Sequence, residues 1–310
     1  MILRYSLMAK RAAKGSKMVK SPDWLSSIKA LAFSKTHLFA SLFIICASPL
    51  LLAHEKEAAA TYLANEGVMI SAGSVKVLFD PFFHNDYAIY QLVPEKIINS
   101  IMSNTPPYND ISAIFVSHAH GDHFAEEDML AYMLTHKKVE LVAPTQAIVE
   151  LQKLDGFTQI EQRITRIELA YKQKPISFTV KGLKVDAVRI PHAGWPGRAE
   201  ISNIVYRVTL PALVEHDALT FIHMGDADPN DSHFRPLFEF WNRQKTTVAF
   251  PPYWFFLSAT GNYILDYRIN ADTSIGVHVP KNVPAPLIMS KKPYFSEPGE
   301  VINIQNKAHE

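Results

Sequence analysis

Residues 115–124 read FVSHAHGDHF, which places three histidines and one aspartate within six positions. A single histidine is usually an ordinary core or surface residue, so four ligand-type side chains at this spacing need another explanation. In an extended chain, side chains at i and i+2 point the same way. His118 and His120 are therefore predicted to face one common position, where they can bind a metal ion.

The second half of this motif predicts a second pair of ligands. Gly121 allows the backbone to bend tightly, and Asp122 and His123 can then face a neighbouring position. Imidazole nitrogen and carboxylate oxygen without sulfur suit Zn²⁺, and Mn²⁺ or Fe²⁺ would also be accepted. A surface histidine cluster without metal is the alternative, but HxHxDH directly after an apolar strand favours a metal site.

The N-terminal segment differs in charge from the rest of the chain. Residues 1–53 contain eight Lys or Arg and one acidic residue, a net charge of +7, whereas the remainder contains 23 basic and 29 acidic residues, a net charge of −6. An uncharged run, LFASLFIICASPLLLA over 38–53, follows the basic stretch, which is typical of a secretory signal. Its sixteen residues are short for a membrane span. An uncleaved membrane anchor is the alternative.

This asymmetry predicts a two-part chain that is periplasmic or secreted. Residues 1–53 are expected to be the signal or N-terminal anchor, and residues 54–310 the folded domain. The only cysteine, Cys46, lies inside the apolar run, so the folded domain is predicted to have no disulfide and no thiolate ligand. The mildly acidic domain has no basic stripe interleaved with aromatic residues, so we expect a small-molecule substrate and no nucleic-acid partner.

Short strands alternate with helices after residue 60. Strands are predicted over 61–73, 74–80, 110–117, 138–144, 176–180, 183–190, 203–210, 218–224, 246–250 and 274–279. Helices are predicted over 94–104, 126–136, 145–154 and 232–243. Strands in two groups with helices among them predict an α/β fold in which two sheets pack face to face and helices cover them outside.

Further ligand-type residues stand at or near the ends of three other predicted strands. They are His192 in RIPHAG, Asp226 in FIHMGDAD and His278 in SIGVHVP. Together with the HxHxDH motif, they make residues 60–290 resemble the metallo-β-lactamase-fold hydrolases. This resemblance implies a four-layer αββα sandwich and a metallo-β-lactamase-like hydrolase domain.

The resemblance also implies how the ligands divide between two metal ions. One ion would be held by His118, His120 and His192, the other by Asp122, His123 and His278, with Asp226 bridging the two. Loop or turn roles for the residues outside the motif are the alternatives.

Other titratable residues near these segments have more modest expected roles. Asp80 ends the strand VLFD and is expected to accept a hydrogen bond from a ligand imidazole, with a turn or cap role before Pro81 as the alternative. Asp228 is a rival to Asp226, and His223 is expected in the core or behind a ligand. The histidines expected at the surface are His54, His136, His216, His233 and His309.

The chemistry follows from the metals. Two divalent ions about 3.5–4 Å apart can hold a bridging hydroxide and polarise the attacked carbonyl or phosphoryl oxygen. Asp122 is predicted to be catalytic, because it can accept the proton of the water while remaining a ligand. The predicted reaction is hydrolysis of an ester, lactone, amide or phosphodiester. EGVMI, VLFDP, GDAD and GVHVP resemble the broad branch that includes ascorbate-phosphate lactonase-like members.

Two other functions remain open at this point. The same ligands can hold two irons for redox chemistry, as in flavin-partnered relatives, or the protein can bind metal without catalysis. Two aromatic loops are candidates for the wall of a substrate pocket, with core packing as the alternative: Phe82, Phe83, His84 and Tyr87, then Tyr253, Trp254 and Phe255. His84 or Tyr253 is a candidate for stabilising an oxyanion.

Overall fold

A computed structural model of the chain describes residues 58–211 and 218–304. The apolar run over 38–53 with Cys46, and the histidines His54, His216 and His309, lie outside the described residues. Within the described ranges, no helix combines the length and the apolar character that crossing a lipid bilayer requires.

The described residues contain thirteen strands, most of them buried. They are β1 (Ala58–Ala64), β2 (Gly67–Ala72), β3 (Val75–Phe79), β4 (Ala113–Phe115), β5 (Glu140–Pro144), β6 (Ile164–Ile167), β7 (Ile176–Val180), β8 (Leu183–Arg189), β9 (Ile204–Leu210), β10 (Leu219–His223), β11 (Thr246–Phe250), β12 (Ala271–Ser274) and β13 (Val301–Ile304).

Helices connect many of these strands. The α-helices are α1 (Glu95–Met102), α2 (Glu126–Thr135), α3 (Thr145–Leu151), α4 (Asp231–Phe234), α5 (Phe238–Asn242), α6 (Ala259–Tyr263) and α7 (Ala285–Ser290). Short 3₁₀ helices cover Phe157–Gln159, Glu161–Arg163, Arg235–Leu237 and Tyr253–Leu257, and a π-helix covers Ile264–Ile269.

The strands form two sheets. The first has the order β13-β1-β2-β3-β4-β5-β6, antiparallel from β13 to β3 and parallel from β3 to β6. The second has the order β12-β11-β10-β9-β8-β7, in which β10, β11 and β12 are parallel. The interior strand β4 is buried on both faces, as its continuous apolar sequence predicts.

Alternation of side chains along the strands builds a layered core. Val68 and Ile70 of β2 belong to the cluster between the two sheets, whereas Met69 points to the outer face, where α1 to α3 pack. In the second sheet, Phe221 points between the sheets and Ile222 packs outward against the later helices. Helices therefore cover both outer faces, which confirms the predicted four-layer αββα sandwich.

Three predicted elements differ from the structure. The strand predicted over 61–73 is two strands, because Asn65 adopts a left-handed conformation with φ 48° and the chain turns back. The helix predicted over 232–243 is interrupted at Pro236, which lacks an N–H to continue the ladder. The strand predicted over 274–279 is wrong: β12 ends at Ser274, and His278 is left-handed with φ 59°.

Several short elements were not predicted at all. β6 has four residues and β13 has four, too few for a reliable two-residue alternation to emerge. The helices between residues 253 and 290 are equally short and rich in aromatic residues, which gave no helical period. The other predicted strands and helices are present, with boundaries shifted by a few residues.

Candidate metal centre

The HxHxDH motif leaves the buried strand β4 and turns back on itself. The backbone N–H groups of His123 and Phe124 both donate to the carbonyl oxygen of His120, at 2.9 Å each. Gly121 is in this turn without a left-handed φ. Its absence of a side chain instead lets residue 85 approach: a Cβ on Gly121 would lie 3.3 Å from Asn85 Cβ. The predicted bend is present, and close packing explains its glycine.

Four side chains from three segments form the first donor set. The Nε2 of His118 lies 3.0 Å from the Nδ1 of His120, which lies 3.2 Å from the Nε2 of His192. The Oδ2 of Asp226 lies 3.1 Å from His192 Nε2, and one donor atom of each of the four lies within 4.8 Å of the others. Two ligands about 2.0–2.1 Å from a tetrahedral ion are separated by roughly 3.3 Å, so these spacings fit coordination.

The second donor set consists of Asp122, His123 and His278. The Oδ2 of Asp122 lies 3.4 Å from the Nε2 of His278 and 3.7 Å from the Nε2 of His123. All three side chains are buried, and their donor atoms also lie within 4.8 Å of one another. The structure thus brings all seven predicted ligands together.

The carboxylate of Asp226 divides its two oxygens between the sets. Oδ2 faces the first set, 3.1 Å from His192 Nε2. Oδ1 faces the second set, 3.3 Å from the Nε2 of His123 and 3.1 Å from the Nε2 of His278. One carboxylate with one oxygen in each group is the geometry that a bridging ligand requires.

Several donor atoms of the centre have no partner within the protein. Among the residues that the structure describes, the Oδ1 of Asp122, the Nε2 of His123, the Oδ1 of Asp226 and the Nε2 of His278 are buried without a hydrogen bond. Buried polar atoms are normally satisfied, so their convergence is better explained by metal ligation than by packing. Nitrogen and oxygen donors without sulfur fit divalent metal ions.

The charges of the centre influence one another. Burial raises the pKa of the Asp226 carboxyl, but the imidazoles of His278 and His123 outweigh it, so the pKa lies well below its ordinary value. Burial and the neighbouring imidazoles hold the pKa of His118 well below its ordinary value. Asp226 is therefore ionised and His118 neutral at neutral pH, the states in which both coordinate metals.

Protons compete with metal at the second set. Burial lowers the pKa of His123, but the carboxylates of Asp226 and Asp122 prevail and raise it well above its ordinary value. Because only the neutral imidazole coordinates, metal binding at this set is expected to weaken as the pH falls.

Asp80 supports the motif from behind, as predicted. The Nδ1 of His123 donates to Asp80 Oδ2 at 2.9 Å, while the backbone N–H of Ser117 donates to Asp80 Oδ1 at 2.7 Å. Ser117 Oγ also donates to Asp80 and lies 3.0 Å from the Nδ1 of His118. These bonds fix the imidazole rings and leave both Nε2 atoms for the centre.

Asn203 holds the segment that carries Asp226. Its Oδ1 accepts a hydrogen bond from the backbone N–H of Asp226 at 3.0 Å, and its Nδ2 donates to the carbonyl oxygens of Ile190 and Met224. Gly225 before the ligand has φ 50°, and a Cβ there would lie 2.4 Å from Asn203 Oδ1. A glycine is required at this position. No sequence pattern predicts this role for Asn203, because it begins an ordinary apolar strand.

Asn65 connects the first hairpin to the second donor set. Its Nδ2 donates to the carbonyl oxygen of Asp122 at 2.9 Å, and its own carbonyl oxygen accepts from the backbone N–H of His278 at 2.8 Å. The sequence analysis does not predict this role for Asn65, because it treats the hairpin as one strand over 61–73. Two polar residues before Gly67 inside an apolar run were the available signal for a turn.

A third group of ligand-type residues lies deeper between the sheets. Glu66, Asp80 and His223 are all fully buried, and one donor atom of each lies within 4.8 Å of the others. His223 stacks on Phe79 with ring centroids 4.8 Å apart, and its Nε2 donates to the carbonyl oxygen of Glu66 at 2.9 Å. His223 is thus a core residue behind the centre, as predicted. We name this group the inner cluster.

A cavity of about 430 Å³ opens above the donor sets. Its floor is formed by His120, Asp122, Asp226 and His278, and its walls come from the loops at 87–90 and 198–201. This volume suits a small molecule.

Most of the aromatic residues considered for the pocket wall lie elsewhere. Phe82, Phe83 and Phe255 are buried in the hydrophobic core, so the alternative of core packing holds for them. His84 is exposed and pairs with Asp128 at 3.2 Å, which gives no support to an oxyanion role.

Two aromatic residues do contact the centre or its cavity. Tyr87 lines the cavity. Trp254 packs against the ring of His278, with centroids 5.2 Å apart, and its Nε1 donates to the carbonyl oxygen of Ala227. Tyr253 is half-buried and does not line the cavity. Tyr90, which was not predicted, also lines the cavity. Its ring packs edge-on against the ring of His278, with centroids 4.1 Å apart.

The remaining predicted residues are away from the centre. Asp228 is no ligand in this geometry, because its Oδ2 accepts from the backbone N–H of Gly194 at 3.2 Å. His233 is buried, and the prediction that it is a surface residue was wrong. Its Nδ1 lies 2.8 Å from the hydroxyl of Tyr171, which packs over it. His136 is half-buried and donates to the carbonyl oxygen of Met102.

Comparisons with known proteins agree with this architecture. A family profile described as a beta-lactamase superfamily domain matches residues 76–239, more than half of the 310-residue chain. A comparison with curated proteins gave no significant match.

Two solved structures share the fold. Igni18, a metallo hydrolase from Ignicoccus hospitalis, is 15% identical with a TM-score of 0.54, over 81% of this chain and 100% of Igni18. A protein from Veillonella parvula described as a possible metal-dependent hydrolase is 14% identical with a TM-score of 0.52, over 80% of this chain and 100% of that one. At such identities the likeness concerns the fold, and it confirms the predicted metallo-β-lactamase architecture.

Proposed function

Because this chain belongs to the beta-lactamase superfamily, we propose that it is a hydrolase that uses two divalent metal ions to cleave an ester, lactone or phosphodiester bond of a small molecule. The observation that carries the proposal is the carboxylate of Asp226, which has one oxygen in each of two converging donor sets. Zn²⁺ is the favoured metal for these donors, with Mn²⁺ and Fe²⁺ as the alternatives.

The ligands follow from the two donor sets. We propose that His118, His120 and His192 hold one ion, that Asp122, His123 and His278 hold the other, and that Asp226 contacts both. Bound there, divalent ions supply an activated water and polarise the oxygen of the attacked group.

Asp122 is proposed as the residue that accepts the proton of the attacking water. Its side chain lines the cavity, and its Oδ1 has no hydrogen bond among the described residues. Burial raises its pKa, but the imidazoles of His123 and His278 outweigh this and lower the pKa, so the carboxylate is ionised at neutral pH. Asn65 holds its backbone and thereby orients it.

We also propose that the domain is exported, as the basic and apolar N-terminal segment predicts. The mature protein is then expected to begin near His54, after the small residue Ala53. Mass spectrometry of the protein recovered from the producing cells measures this end. Retention of residues 38–53 would favour an anchor instead.

Elemental analysis of protein purified without added metal is the first test. We expect two zinc ions per chain. Tightly bound iron with an optical spectrum would overturn the zinc assignment in favour of a redox enzyme. Failure of the folded protein to take up any divalent ion would overturn the proposal as a whole.

Activity is tested with a panel of lactone, phosphodiester, thioester and β-lactam substrates. We expect turnover in the lactone, ester or phosphodiester class, and a loss of about 100-fold or more in kcat for Asp122→Ala. Asp128→Asn is the matched control, because Asp128 pairs with His84 outside the cavity. Full activity of the Asp122 variant would show that another group takes the proton.

A further inference from the structure

The wall of the cavity contains one arginine, Arg198. We propose that Arg198 forms an anion-binding subsite, so that the substrate carries a carboxylate or phosphate group apart from the bond that is cleaved. This inference rests on the proposed function, because it concerns the same cavity, and it narrows the substrate class to acidic small molecules.

The guanidinium of Arg198 is free to receive a ligand. In the part of the chain that the structure describes, no hydrogen bond or ion pair engages it, although six other Lys or Arg side chains form ion pairs. Its aliphatic stem packs on Gly194, where an added Cβ would lie 3.5 Å from Arg198 Cδ. The stem is therefore supported, and Arg198 brings to the cavity wall a planar group that binds oxyanions with paired N–H donors.

The loop that carries Arg198 is anchored to the metal centre. The backbone N–H of Ala193 donates to the carbonyl oxygen of Asp226 at 2.7 Å. At the other end, the Nη2 of Arg189 donates to the carbonyl oxygens of Ala199 and Ile201. These bonds fix the main chain on both sides of Arg198, so the fold holds the backbone of this exposed residue beside the metal ligands.

The charges around the cavity favour an anion. Glu200 also lines the cavity and opposes Arg198, and its carboxylate likewise has no ion pair among the described residues. Two divalent ions held as proposed would bring four positive charges to the floor, against the carboxylates of Asp122 and Asp226. With Arg198 and Glu200 cancelling each other at long range, the floor attracts anions, and Arg198 supplies the directed donors.

Apolar side chains also line the cavity. Ile89 and Ile201 line the cavity, and Ile89 is half exposed. A substrate that fits these surfaces has an acidic group at one end, a short apolar or neutral middle, and the bond to be cleaved above the metal ligands.

The test is a binding experiment that needs no turnover. We propose to titrate the metal-loaded full chain with dicarboxylates from succinate to adipate, and with monocarboxylates of matching length, by calorimetry. One carboxylate occupies the metal centre and the second reaches toward Arg198. We expect one length of dicarboxylate to bind at least about tenfold more tightly than its monocarboxylate, the range of a charge-assisted hydrogen bond.

Three variants and one control test whether Arg198 causes the preference for dicarboxylates. Arg198→Ala is expected to abolish the advantage of the dicarboxylate and to change monocarboxylate binding less than twofold, whereas Arg198→Lys retains part of it. Glu200→Gln is expected to strengthen dicarboxylate binding. Arg166→Ala is the matched control, an exposed arginine on β6 outside the cavity. A phosphonate in place of the second carboxylate distinguishes a preference for phosphate.

The outcomes separate this inference from the proposed function. Equal binding of dicarboxylates and monocarboxylates, or an advantage that survives in Arg198→Ala, overturns the subsite while metal uptake and hydrolysis still support the enzyme. A dicarboxylate advantage that depends on Arg198 in a protein that hydrolyses none of the panel overturns the hydrolase and retains the subsite.

Discussion

The metal centre and the inner cluster contain the same kinds of side chain, a few ångströms apart, but differ in which atoms are already bonded. In the centre, the far nitrogens of His118 and His123 are held by Ser117 and Asp80, and their near nitrogens face other donors. In the inner cluster, Asp80 already accepts three hydrogen bonds and the Nε2 of His223 donates to a backbone carbonyl, whereas the carboxylate of Glu66 is buried without a hydrogen bond. The residue types are alike, and Asp80 acts as a support because its oxygens already accept hydrogen bonds.

Access to solvent is the second difference. The floor of the cavity includes four ligands of the centre, whereas Glu66, Asp80 and His223 are fully buried with no exposed fraction. A substrate can reach the centre and cannot reach the inner cluster. Variants in the metal centre are therefore expected to lose metal and activity. Variants in the inner cluster are expected to change the affinity for metal or the stability of the fold.

The largest effect is expected for Asp226→Asn. An amide oxygen carries no full charge, and its nitrogen would face an imidazole, so the variant is expected to lose at least one ion and roughly 1,000-fold in kcat/KM. Elemental analysis and kinetics measure both. Asp228→Asn is the control, since its carboxylate accepts from Gly194 away from the centre. A variant with two ions and activity within tenfold of the parent would show that Asp226 is not a bridge.

A smaller effect on metal binding is expected for Asp80→Asn, because Asp80 holds the ligand His123 and is not itself a ligand. Asparagine tolerates the left-handed φ of 41° at this position, so the backbone is expected to stay unchanged. Loss of the negative acceptor behind His123 is expected to weaken metal affinity by about 10- to 100-fold. Competition with a chelating dye measures this affinity. An unchanged value would mean that Asp80 acts in folding alone.

The smallest effect is expected for Glu66→Gln, and it concerns stability. Burial, reinforced by the nearby carboxylates, raises the pKa of Glu66 well above its ordinary value of 4.5. Below pH 4.5 the carboxyl is protonated in the folded and the unfolded chain. Above it the unfolded chain releases the proton first, so the stability of the parent falls as the pH rises toward the folded pKa.

Glutamine has no proton to release, so the variant is expected to escape this loss. Relative to the parent, its free energy of unfolding should therefore rise as the pH rises above 4.5. Urea unfolding from pH 5 to pH 8 at matched metal concentration measures it, with the exposed Glu161→Gln as control. A difference that is independent of pH would show that Glu66 is ionised in the folded protein.

Local sequence was sufficient for the motif and for its chemistry. HxHxDH contains four donors within six residues, and the strand before it is recognisable from its apolar run, so the turn and its ligands were predicted together. His192, Asp226 and His278 are separated from it by many residues. Their positions came from the family resemblance, and the structure brings each of them to the motif.

The supports of the centre were much less predictable. Asn203 and Glu66 act through contacts between strands that are distant in sequence, and nothing in their local pattern indicates burial. Glu66 is a charged residue in a hairpin turn, a place where exposure is the ordinary expectation. Phe82 and Phe255 were candidates for the pocket wall but lie in the hydrophobic core. An aromatic residue near a site can occupy either place, and the sequence does not distinguish the two.

The hydrogen bond from the backbone of His278 to the carbonyl oxygen of Asn65 joins two parts of the chain that both fall outside the segment shared with the family profile, residues 76–239. That shared segment holds six of the seven ligands, and the seventh arrives from beyond it, fastened to a hairpin that precedes it. A chain cut to residues 76–239 would lack His278 and the carbonyl oxygen of Asn65 that holds it, so its second donor set would be incomplete.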